Sequence, residues 1–91
     1  MAEQSQYTRW SGAWRWAAFR PMTIRRILAQ NLRRVRQERS LTQEELADLA
    51  GINRNYVGMI EREENAATVD VLEALAKALS IEAADLLAKI R

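Results

Sequence analysis

Ninety-one residues allow one small domain and a tail, too few to bury two separate cores. The chain has no cysteine and no histidine, which excludes disulfides, thiolate chemistry and the commonest general base and metal ligand. Net charge is only +2, yet residues 1–39 carry nine arginines against two glutamates, while residues 40–91 carry ten acidic against five basic residues. Such asymmetry suits a protein with one surface facing a polyanion.

Three glycines leave no phosphate-cradling loop, and no paired carboxylate or hydroxyl arrangement suggests catalysis. The expectation is therefore a non-enzymatic protein with no cofactor and no metal. No uninterrupted apolar run approaches transmembrane length, and no membrane partner is expected.

Residues 1–22 differ in composition from the rest of the chain. They hold Tyr7, Trp10, Trp14, Trp16 and Phe19, five of the six aromatic residues, and end near Pro21, the single proline. Three readings stand side by side. The segment is a loosely ordered extension whose aromatics pack on the domain or a partner. Or it is a basic arm reaching along DNA. Or Met22 is the natural start. A secretory signal is disfavoured because Arg9 and Arg15 interrupt the apolar stretch.

The domain is expected over residues 23–91. From Thr23 to Arg39, residues Ile24, Ile27, Leu28, Leu32 and Val35 recur at spacings of three and four, predicting a first helix capped by Thr23. Thr42 and Glu45 form a T-x-x-E capping box that opens a second helix, with Leu46, Leu49 and Ala50 as its apolar face. Gly51 follows the last periodic residue, where a chain leaving a helix favours positive φ. Asn53 is the next N-cap, and Val57 and Ile60 give a third helix its buried face. Two capped helices on a glycine-containing turn make a helix-turn-helix, whose second member can enter a major groove.

The stretch Leu41-Thr42-Gln43-Glu44-Glu45-Leu46-Ala47, with Ala50-Gly51-Ile52, Tyr56-Val57 and Ile60-Glu61-Arg62, resembles the DNA-binding domain of the phage Cro and repressor family. The likeness extends over most of the chain from about Thr23. It implies an all-α, lambda-repressor-like helix-turn-helix domain of about five short helices, preceded here by the N-terminal extension. It also implies an ion pair between Arg36 and Glu61, tying the first helix to the recognition helix. Ser40 and Glu63 stand where relatives commonly have glycine, and Ala66-Ala67 where they have Pro-Ser. At Glu63 the third helix is expected either to run on or to leave more loosely.

Thr68 caps a predicted fourth helix with Asp70 in its first turn and Val71, Leu72, Leu75, Ala76 and Leu79 as its stripe. Glu82 to Ile90 reads as a short fifth helix. Leu86, Leu87 and Ile90 are expected at a homodimer interface, since many relatives dimerise through this region; the other reading is that they only close the monomer core.

Matched position by position, the resemblance implies base contacts from Arg54, Asn55 and Met59. Thr42, Gln43, Tyr56, Gly58 and Arg62 would lie at the DNA backbone or groove wall. The chemistry fits, because arginine can bond O6 and N7 of guanine together and asparagine N6 and N7 of adenine. The expectation is a sequence-specific, homodimeric regulator of double-stranded DNA, cytoplasmic and nucleoid-associated, of repressor or controller type and without an attached effector domain. Beside it stands an antitoxin-like module that holds a protein partner and DNA together; membrane-surface attachment through the Trp/Arg segment is disfavoured, because helical Trp and Arg positions there do not separate into opposite faces.

Overall fold

The computed structural model describes residues 23–89. The three readings of residues 1–22, and the role assigned to Ile90, lie outside the described residues. The elements are α1 (Ile24–Glu38), α2 (Gln43–Ala50), α3 (Arg54–Glu61), α4 (Val69–Leu79) and α5 (Ala83–Leu86), with no strand among the described residues.

Each of the first four helices begins where a side chain takes an orphan backbone donor. Thr23, Thr42 and Thr68 accept through their hydroxyls from the N–H of Arg26, Glu45 and Val71, at 3.2, 3.0 and 3.1 Å. At α2 the box is closed in return, Thr42 N–H donating to Glu45 Oε1 at 2.8 Å. Asn53 opens α3 by accepting from Asn55 N–H at 2.8 Å.

The first four helices end by one device. At Ser40, Gly51, Glu63 and Ser80 the chain turns into the left-handed region, with φ of 55, 73, 63 and 58°. The following N–H reaches back along the helix: Leu41 to Arg36, Ile52 to Ala47, Glu64 to Met59, Ile81 to Ala76. This is the Schellman closure, which satisfies the last carbonyls of a helix. Only Gly51 does so without a Cβ penalty. At Glu63 neither expected outcome holds: α3 does not run on, and its exit is as tight as the others. Glu63 adopts the backbone that a glycine would take more cheaply.

Leu28, Leu32 and Val35 of α1, Leu46 and Ala47 of α2, Val57 and Ile60 of α3, Leu75, Ala76 and Leu79 of α4 and Leu86 of α5 make one core. The arrangement packs α3 between α1 and α2, while α4 lies on α2 and α5. Each fully buried leucine contributes roughly 1.5–3 kcal/mol by leaving water.

Two apolar assignments need correction. Leu49 and Ile24 lie on the surface, 61% and 62% exposed. In α2 the core side is made by Leu46 and Ala47 with Ala50 at its edge. At about 100° per residue, Leu49 is rotated well away from the mean direction of those three. The fifth helix is also shorter than expected, four residues instead of nine. Its end is held from inside: Asn31, with no exposed surface, donates through Nδ2 to the carbonyls of Leu86 at 2.9 Å and Ala88 at 2.7 Å.

Candidate nucleic-acid interface

Glu61, the last residue of α3, is the hub from which the site is built. Its side chain is 1% exposed and accepts from Arg36 in a two-pronged fork, Nε to Oε2 at 2.7 Å and Nη2 to Oε1 at 2.9 Å. Oε1 also accepts from Gln43 Nε2 at 3.0 Å. Arg36 spends its remaining prong on the Leu41 carbonyl at 2.8 Å, at the end of α1. A third cation, Arg33, lies with Nε 3.5 Å from Oε1 and donates Nη2 to the Glu61 carbonyl at 3.0 Å. One carboxylate therefore ties α1, α2 and α3 together.

Burial is the strongest single influence on the Glu61 carboxyl and favours its neutral form. Hydrogen bonds from Arg36 and Gln43, with the charges of Arg36 and Arg33, together outweigh it and hold the group below the ordinary glutamate range. The hydrogen bond to Glu61 likewise raises Arg36 above the usual arginine value.

Gln43 sits at the start of α2 and Arg54 and Asn55 at the start of α3, and of the three the hub holds Gln43. Arg54 and Asn55 are exposed on the first turn of α3. Arg54 Nη1 donates to Glu44 Oε2 of α2 at 3.3 Å. Met59 is half-buried. Tyr56, also half-buried, donates its hydroxyl to the Ala66 carbonyl at 3.2 Å, bracing the loop after α3. Thr42 is exposed, its hydroxyl oxygen accepting the α2 cap bond.

Gly58 faces the side-chain ends of Arg62 and Gln43. It is buried, and a Cβ built there would stand 3.0 Å from Arg62 Nη1 and 3.4 Å from Gln43 Oε1. The side chains of Arg62 and Gln43 therefore converge over the glycine. Arg62, exposed at the end of α3, is gripped by Glu64, Nε to Oε2 at 2.8 Å and Nη2 to Oε1 at 3.2 Å.

The expected interface trio is divided. Leu86 has no exposed surface and belongs to the monomer core, so it has nothing to offer a second copy. Leu87 is half-buried against that core.

Sequence reasoning missed Asn31, Arg33, Glu44 and Glu64. Only Asn31 carried a signal: it lies inside the apolar stripe at the helical spacing that links Ile27 and Leu28 to Val35, and a polar residue there must find buried partners.

The helix-turn-helix family profile matches residues 32–86, from mid-α1 to the end of α5. The chain belongs to the helix-turn-helix family. It is a DNA-binding transcription regulator of that family, and it is similar to control protein C.SmaI of Serratia marcescens, 43% identical over 68 residues that span 75% of this chain and 81% of that one. Among solved structures, the hypothetical transcription factor NHTF from Neisseria superposes with a TM-score of 0.72 at 36% identity, covering 74% of this chain and 77% of that one. The restriction-modification controller protein C.AhdI from Aeromonas hydrophila superposes with a TM-score of 0.66 at 39% identity, covering 68% of this chain and 94% of the controller. No helix among the described residues of this helix-turn-helix protein is long and apolar enough to cross a membrane.

Proposed function

We propose that the chain is a homodimeric, controller-type transcription regulator that reads operator DNA by laying α3 in the major groove. The observation that carries this is the pairing of two helix starts. Arg54 and Asn55 project from the first turn of α3, while Gln43 at the start of α2 is held by the Glu61 hub. That division suits base reading by α3 and phosphate gripping by α2. Arg54 reads guanine, Asn55 adenine, and Met59 makes an apolar contact at the groove edge. Gln43, Thr42 and Arg62 meet the backbone, where Gln43 adds the positive end of the α2 dipole.

The controller assignment is supported by the likeness to control protein C.SmaI and to C.AhdI. Two copies would place two α3 helices in successive major grooves, with Leu87 available to the contact between them. Such a protein works by binding alone, at the chromosome in the cytoplasm, and carries out no catalytic step.

The test is selection of bound duplexes from a random pool near physiological salt, with sequencing. A palindromic motif with half-site centres about 10 base pairs apart, or a multiple of that, is the expected result. Binding at low salt with no recovered motif would mean a nonspecific polyanion surface and would overturn the reading.

A further inference from the structure

At the far end of α3 from Arg54 and Asn55, a carboxylate occupies the two-pronged face of Arg62. Arg62 faces Glu64 through Nε and Nη2, using both carboxylate oxygens at 2.8 and 3.2 Å. Its third nitrogen, Nη1, lies over Gly58, beside the Gln43 amide. A two-pronged guanidinium fork takes carboxylate and phosphate by the same geometry, so the two compete for one face of the arginine. The Schellman closure at Glu63 fixes the approach, since it turns the chain back and brings Glu64 N–H onto the Met59 carbonyl at 2.8 Å. Each of the pair holds the other in its charged form: Arg62 is raised and Glu64 lowered by their mutual hydrogen bond.

We propose that Glu64 is an intramolecular phosphate mimic that occupies the DNA-facing fork of Arg62, so that every duplex must displace it to bind. The proposal rests on the reading that α3 faces DNA. It makes Glu64 an autoinhibitory residue that lowers affinity for all sequences alike, because Arg62 stands at the opposite end of α3 from Arg54 and Asn55. Both partners are more than half exposed, so the latch is weak and readily displaced.

The experiment measures affinity of the full chain for the selected operator and for a random-sequence duplex, across a salt series. Glu64→Gln should tighten both by the same factor, about two- to five-fold. It should also steepen the dependence of log affinity on log salt by up to about 0.9, one additional effective phosphate contact. In an Arg62→Ala background the same Glu64 change should do nothing. Equal tightening with and without Arg62 would mean simple charge repulsion and would overturn the latch. So would no tightening by Glu64→Gln in a chain that binds the operator. Failure of the wild-type chain to bind any duplex would overturn the functional reading and the latch together, which distinguishes the two failures.

Discussion

Arg36 of α1 and Glu61 of α3 are joined through both carboxylate oxygens at 2.7 and 2.9 Å, with the carboxylate shut off from water. Removing the arginine leaves a buried charge served only by Gln43 and the half-exposed Arg33. Arg36→Ala should therefore destabilise the fold by about 3–5 kcal/mol. The depressed Glu61 group adds a pH signature. Its contribution is complete above the ordinary glutamate value of 4.5 and is lost as pH falls through the lower folded value. Urea melts of the parent chain and Arg36→Ala should differ widely at neutral pH, and the difference should narrow in acid below that value to the share that comes from the Arg36 bond to the Leu41 carbonyl.

Asn31 holds the carbonyls of Leu86 and Ala88 from a position with no access to water. Asn31→Leu would leave both carbonyls with a lost donor and should lower stability by about 1–3 kcal/mol. The loss should appear in hydrogen exchange as faster opening of α5 than of α3. Equal protection of both helices would show that the bond does not anchor the C-terminal segment.

Ser40 and Ser80 hold left-handed backbone that disfavours a Cβ. Ser40→Gly and Ser80→Gly should each stabilise by about 0.5–1 kcal/mol once the extra freedom of unfolded glycine is subtracted. In a domain this small that corresponds to a few degrees in Tm. Gly51→Ala is the converse: nothing lies within 4 Å of an added Cβ, so any loss, about 1 kcal/mol, reports backbone conformation alone.

Gly58→Ala should separate stability from binding. Alanine raises helix propensity by about 1 kcal/mol, but its Cβ would press on Arg62 Nη1 at 3.0 Å and meet Gln43 Oε1 at 3.4 Å. The Arg62 end is exposed and flexible and can move aside, while 3.4 Å from the Gln43 amide is ordinary contact. The expected variant melts higher and binds every duplex more weakly; unchanged affinity would mean that the placement of Arg62 and Gln43 over residue 58 is irrelevant to DNA.

Arg54→Ala should relax preference at one base position in each half-site, with a loss of about 1–3 kcal/mol against the matched operator. Gln43→Ala should weaken matched and mismatched duplexes alike. Competition binding with single-position operator variants distinguishes the two patterns.

The local vocabulary of this fold was legible in residue order, because caps and closures act over three to six positions. Thr23, Thr42, Asn53 and Thr68 open the helices expected of them, and Gly51 turns the chain between α2 and α3. The resemblance carried the helix-turn-helix architecture further, through residues whose chemistry is tied to the backbone they occupy. What residue order did not decide is which apolar side chains the packing would use. Leu49 and Ile24 fit a helical period as well as Leu46 and Ile27 do, yet the direction of the core is set by where neighbouring helices lie. Leu86 was expected at an interface, and only the closing of α5 onto α1, held by an Asn31 amide 55 residues away, shows it in the interior. The same holds for Gln43, Glu44 and Glu64. Their charges and amides are evident in the chain, but their partners are chosen by tertiary proximity, which no local period encodes.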